Sequence, residues 1–217
     1  MLPKVADTGS NSVGDTMLPV PFMAGNKVYD TIFIVSYAAW ILFEMVTGSS
    51  RKARSSAKAK GKDRGSFFFL IGMIWLGISL DFMLCFRLQG AAIPWMRTEI
   101  FFAGIGLMWV GVAFRYYCMR VLGRFFTFDV AVHGGQTVVE EGPYRYIRHP
   151  SYAGALITVI GFGLTLGNWV GLVALVTCVA IGYMYRIRVE EKALMQALGE
   201  PYREYMGRTR RLVPFVL

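Results

Sequence analysis

The chain has 217 residues, of which 55% are hydrophobic and 17% charged, well below the roughly 25% charged residues usual in a soluble domain. Its apolar residues come in blocks and not as a thin periodic stripe, which excludes an ordinary water-soluble fold and indicates lipid as the solvent. The net charge of +9 would indicate nucleic acid in a soluble protein, but 19 of the 23 Lys and Arg fall in Arg51–Arg64, Arg115–Arg148 and Arg186–Arg211. That partition is what the positive-inside rule gives. It makes membrane lipids, and no nucleic acid, the partner of the basic stretches.

Residues 1–27 are mixed in composition and read as a poorly ordered N-terminal arm. They lack a basic stretch followed by an apolar one, so the first apolar block is expected to be a retained span. That span runs from about Val28 to Thr47, and Glu44 near its end is costly unless it reaches the interface or a partner. A basic loop follows, with seven basic residues and one acidic in Arg51–Arg64. It serves either as a topology signal and linker or as a recruiter of lipid heads or substrate.

The second span is Ser66–Phe86, with Asp81 close to its end. The third starts near Thr98, a plausible N-cap, and reaches Arg115–Tyr117, an interfacial basic-aromatic cluster. Residues 120–149 are polar, too long for a simple connector, and expected to be ordered. From Pro150 to Tyr185 no charge occurs in 36 residues. One helix of that length would measure ~54 Å, against a hydrocarbon core of about 30 Å. The segment must therefore fold back, and Gly167-Asn168 is the evident turn.

The result is an all-α polytopic bundle of about five transmembrane helices with a C-terminal cytosolic helical tail. All three basic segments lie on one side and the N-terminus lies outside. The domain reading is an arm at 1–27, N-terminal transmembrane helices at 28–119 with a basic loop at 48–65, and a catalytic region at 120–217. In the tail, Arg186–Leu198 continues the last span. Gly199 is its C-cap, and Pro201 opens a short helix carrying Tyr202 and Tyr205.

Cys85, Cys118 and Cys178 lie in or beside apolar segments without metal-ligand spacing and read as packing residues. His133 and His149 have no ligand pattern around them, and no metal is assigned. The pairs Gly104–Gly106 and Gly161–Gly163 sit within spans and read as helix-packing residues, and Gly163–Gly167 has a small-xxx-small spacing.

Chemistry concentrates at the two ends of the hairpin. Tyr144–Tyr152 and Arg186–Glu191 must emerge at the same membrane face and become neighbours. The first cluster, Gly142 to Tyr152, supplies tyrosine faces for a cation, Arg148 and His149 for a carboxylate, and a helix N-terminus opened by Pro150. An interfacial aromatic-basic belt is the alternative reading. The second cluster, Arg186-Ile187-Arg188-Val189-Glu190-Glu191, is either a polar substrate lining or a surface ion pair between Arg186 and Glu190 at i, i+4.

The runs GPYRYIRHPSYAG at 142–154 and EEKALMQALGEPYREY at 190–205, with VPF at 213–215, resemble the isoprenylcysteine carboxyl methyltransferase family. That family is one of the integral-membrane methyltransferases related to phospholipid N-methyltransferases. The resemblance covers about residues 120–217. It implies S-adenosyl-L-methionine as cofactor and a lipid-like acceptor, among them the carboxylate of a prenylated cysteine on a small molecule or protein. It places Gly142, Pro143, Tyr144, Arg148, His149, Pro150, Tyr152 and Glu190 at the cofactor. It gives catalysis to Arg186 and Glu191, with Arg188 an alternative to Arg186. A phospholipid N-methyltransferase, an NADPH-dependent sterol or enone reductase of similar architecture, and a non-enzymatic scaffold are the other readings.

Overall fold

The computed structural model describes residues 21–23, 25–55, 65–123 and 137–212. Six α-helices follow in order: α1 Lys27–Ser55, α2 Gly65–Arg87, α3 Arg97–Leu122, α4 Pro150–Leu166, α5 Trp169–Leu198 and α6 Glu200–Arg208. A 3-10 turn, Gly142–Arg145, precedes α4.

The helix boundaries follow local chemistry. The Asn26 side chain accepts from the backbone N–H of Val28 at 3.0 Å and so caps α1. Pro150, which has no N–H to satisfy, opens α4. Gly167 closes it with φ 73°, a left-handed conformation that suits glycine. Asn168 then caps α5 by accepting from Gly171 N at 3.0 Å. The expected cap of the third span is different: α3 starts at Arg97 after Met96, whose φ is 47°, and Thr98 sits inside the first turn. The helix α1 also continues through Arg51–Ser55, into the stretch expected to be loop, because Arg, Lys and Ala are good helix formers. The rest of that basic loop, Gly134-Gly135 and VPF at 213–215 lie outside the described residues.

Four helical stretches, Lys27–Thr47 of α1, α2, α3 and α5, are long and apolar enough to cross a membrane. α4 has 17 residues, about 25 Å of helix. It nevertheless reaches both ends of the bundle. At one end Arg115 bonds Ser151, and at the other Phe22 N and Cys85 Sγ bond Leu166 O. The sequence expectation of about five membrane helices fits this arrangement.

Packing joins the helices in two tight pairs, α3 with α4 and α2 with α5. Small residues set the first pair. A Cβ on Gly104 would stand 2.8 Å from Gly161 O, and one on Gly154 would stand 2.9 Å from Arg115 N. Gly106, read like Gly104 as a helix-packing residue, has nothing within 4 Å of where its Cβ would stand. Gly163 serves the other side of α4, toward Leu172, Leu175 and Asp81. Helix α1 lies against the pairs through rings: Phe33, Tyr37 and Trp40 each meet Phe162 of α4 at 5.5, 5.5 and 6.1 Å.

The turns lie together. Ile93 N bonds Gly167 O at 2.8 Å, and Asn168 Nδ2 donates to Leu88 O at 2.9 Å. The end of the expected arm is packed here too: Met23 is buried, and the Arg97 guanidinium lies 5.0 Å above the Phe22 ring. This turn end is one face of the bundle. The charged residues of the hairpin gather at the opposite face, as the sequence implied.

Candidate functional site

The N-terminus of α4 delivers His149 and Tyr152, and the far end of α5 delivers Arg186, Glu190 and Glu191. Tyr152 joins the two groups. Its ring stacks on His149 at 5.6 Å and leans on Tyr183 at 4.8 Å. Its hydroxyl donates to Glu190 Oε2 at 2.8 Å and also faces the Arg186 guanidinium. Arg186 is 2% exposed and donates from Nη1 to Ser66 Oγ of α2 at 2.7 Å. A surface pair of Arg186 with Glu190 is therefore not what forms: Arg186 is buried and Glu190 is engaged by Tyr152.

Glu191 is 5% exposed and gathers two guanidinium groups and an imidazole. Arg148 Nε donates to it at 2.7 Å and Arg211 Nε at 3.0 Å. His149 Nε2 stands 3.5 Å away, without a hydrogen-bond partner among the described residues. Arg148 also reaches the tail, donating from Nη1 to Met206 O at 3.0 Å and to the carbonyl of Thr209. The sequence reading aimed Arg148 at a cofactor carboxylate; the structure engages it with Glu191 and the tail backbone.

The tail closes the site by pairing with the motif. Arg148 N bonds Arg210 O at 2.7 Å, His149 N bonds Arg211 O at 3.0 Å, and Arg210 N bonds Tyr146 O at 3.1 Å. The Tyr205 hydroxyl donates to Tyr144 O at 2.7 Å. Burial pushes the phenols of Tyr144, Tyr202 and Tyr205 upward, so Tyr205 stays a neutral donor at any physiological pH.

Of the residues expected at the site, His149, Tyr152, Arg186, Glu190, Glu191 and Arg148 form one connected cluster. Gly142 and Pro143 shape the turn before it, Gly142 with φ 53°. Tyr144 is buried under α6, and Pro150 starts α4. Arg188 is exposed and takes no part in these bonds. Three contributors were not foreseen: Tyr183, whose ring meets Tyr152, Ser66, the partner of Arg186, and Arg211, the second arginine on Glu191. None carries a local pattern, since each acts through a partner distant in sequence.

This arrangement has relatives. A family model described as phospholipid methyltransferase matches residues 100–201, which take in most of α3, the motif, the hairpin and the acidic pair. A probable protein-S-isoprenylcysteine O-methyltransferase of Oryza sativa subsp. indica is 29% identical over 144 residues, covering 64% of this chain and 75% of the relative. Protein-S-isoprenylcysteine O-methyltransferase A of Arabidopsis thaliana is 37% identical over 129 residues, covering 57% of this chain and 64% of the relative. The solved structure of the eukaryotic intramembrane Ras methyltransferase ICMT matches with a TM-score of 0.60 at 18% identity, covering 92% of this chain and 73% of that one, a likeness of fold. Fold and sequence together define an integral-membrane methyltransferase. Within that class its sequence resembles the isoprenylcysteine carboxyl methyltransferase family.

Proposed function

We propose that the Tyr152-centred cluster binds S-adenosyl-L-methionine and methylates the carboxylate of a lipid-like acceptor, such as a prenylated cysteine, at the cytosolic face. One observation carries the reading: aromatic faces, carboxylates and a buried arginine converge where α4 and α5 leave the membrane. The donor set suits the cofactor. Tyr152 and Tyr183 offer ring faces to a cation, Glu190 offers a carboxylate acceptor, and the buried His149 Nε2 has no partner among the described residues. The cofactor supplies, when bound, an electrophilic methyl group on a sulfonium centre.

The chain's own part is placement. A carboxylate acceptor is ionised at neutral pH, so it would need no general base from this chain, and no proton would have to move. Arg186 is suited to hold that carboxylate in line, because a guanidinium binds carboxylates in a fixed planar geometry. Positioning of this kind can supply ~7–11 kcal/mol of a barrier. Glu191 acts on the framework by holding Arg148 and Arg211, which pin the tail beside the motif. Arg188 receives no role. Orientation follows from charge: the basic end faces the cytosol.

The test is calorimetry on the purified protein with S-adenosylhomocysteine and with NADPH, followed by a methyl-transfer assay with a prenylated cysteine. Binding of S-adenosylhomocysteine alone and ester formation support the reading. NADPH binding alone would move the protein to the reductases. Transfer to a phospholipid amine, without ester formation, would make it an N-methyltransferase.

A further inference from the structure

The charged end holds a second buried arginine that the transfer chemistry does not use. Arg115 of α3 is 5% exposed. It donates from Nη1 to both the carbonyl and the hydroxyl of Ser151, at 3.1 and 3.0 Å. Its Nε and Nη2 are taken by Glu44 of α1 in a two-point fork, at 2.8 and 3.2 Å. Three helices are thereby tied at one guanidinium.

Packing alone gives no reason for such a group. Burying an ion pair costs several kcal/mol in desolvation, and apolar side chains of similar volume often serve stability as well or better. What distinguishes Arg115 is its target. Ser151 stands between His149 and Tyr152, in the first turn of α4. Fixing its carbonyl and hydroxyl together sets the rotation of that turn about the helix axis. With side chains reaching about 5–6 Å from the axis, a rotation of about 10° displaces their ends by roughly 1 Å. A displacement of that size can cost about 100-fold in rate.

We propose that Glu44, Arg115 and Ser151 are positioning residues for cofactor binding. Glu44 fixes the Arg115 guanidinium, Arg115 fixes the first turn of α4, and that turn aims His149 and Tyr152. This rests on the reading of the Tyr152 cluster as the S-adenosyl-L-methionine site.

The experiment uses the full chain in lipid nanodiscs and measures S-adenosylhomocysteine affinity, thermal midpoint, and KM for a prenylated cysteine. Glu44→Gln and Ser151→Ala should each weaken affinity about tenfold, leaving the acceptor KM within about twofold. Because both act through Arg115, the double variant should lose about as much as either single one, and not the product. The control is Thr158→Val, which removes a hydrogen bond from Thr158 to Met108 O between the same two helices, further along the seam. It should bind as the wild type does. Unchanged affinity in Glu44→Gln and Ser151→Ala, an equal loss in Thr158→Val, or fully additive losses would each overturn the proposal. A wild-type protein that binds no S-adenosylhomocysteine would overturn the site reading first, and this proposal with it.

Discussion

The two ends of the bundle are held together in different ways. At the turn end, the hairpins meet through backbone groups, one neutral amide and one thiol: Ile93 to Gly167, Asn168 to Leu88 and Gly171, and Cys85 to Leu166. At the charged end, Arg115, Arg148, Arg186 and Arg211 meet Glu44, Glu191, Ser66 and Ser151. Neutral bonds suffice to hold helices, since a buried hydrogen bond contributes about 1 kcal/mol without the desolvation cost of a charge. The concentration of charge at one end coincides with the site proposed above, and damage at the two ends should read out differently.

The largest effect is expected from Glu191→Gln. It keeps the shape of the side chain and removes the charge that Arg148 and Arg211 share. S-adenosylhomocysteine affinity should fall about 100-fold, equivalent to about 2.7 kcal/mol, as measured by calorimetry. Arg186→Lys comes next. It retains a positive charge and loses the planar fork, so turnover should fall about 30-fold with cofactor affinity within about threefold. That split, read from steady-state kinetics beside calorimetry, separates holding the acceptor from holding the cofactor.

At the turn end, Asn168→Ala removes a helix cap and a link between hairpins. It should cost about 1–2 kcal/mol of stability, seen as a lower thermal midpoint, with kcat and KM unchanged. A change in cofactor affinity here would erase the distinction between the ends. Arg188→Ala should do least, with stability within about 0.5 kcal/mol and normal turnover. A turnover loss matching that of Arg186→Lys would return Arg188 to the site.

Much of this plan is legible along the chain. Gly167-Asn168 shows where the uncharged stretch folds back, because its length exceeds a membrane and these residues suit a turn. The hairpin then brings Tyr152 to Glu190 without further information. Bonds between distant residues are another matter. Glu44 reads as a cost, and its partner Arg115 lies 71 residues away in what looks like an interfacial cluster. Arg148 looks like a ligand for an anion, since nothing in the sequence tells where the carbonyls of Met206 and Thr209 will lie. Asp81 illustrates the same gap: it is fully buried against Gly163 and Gly171, and neither carboxylate oxygen has a partner among the described residues.

The pairing of residues 210–211 with residues 146–149 has a consequence for biosynthesis. A chain leaves the ribosome at about 5–20 residues per second, N-terminal part first, so every membrane helix is made before Met206–Arg211. Until that stretch emerges, Arg148 lacks its carbonyl acceptors from Met206 and Thr209, and Glu191 lacks Arg211. A nascent chain halted after α5 would possess its helices and an open, unfinished site. The last stretch to be made is thus the one that completes the bonds of Arg148 and Glu191.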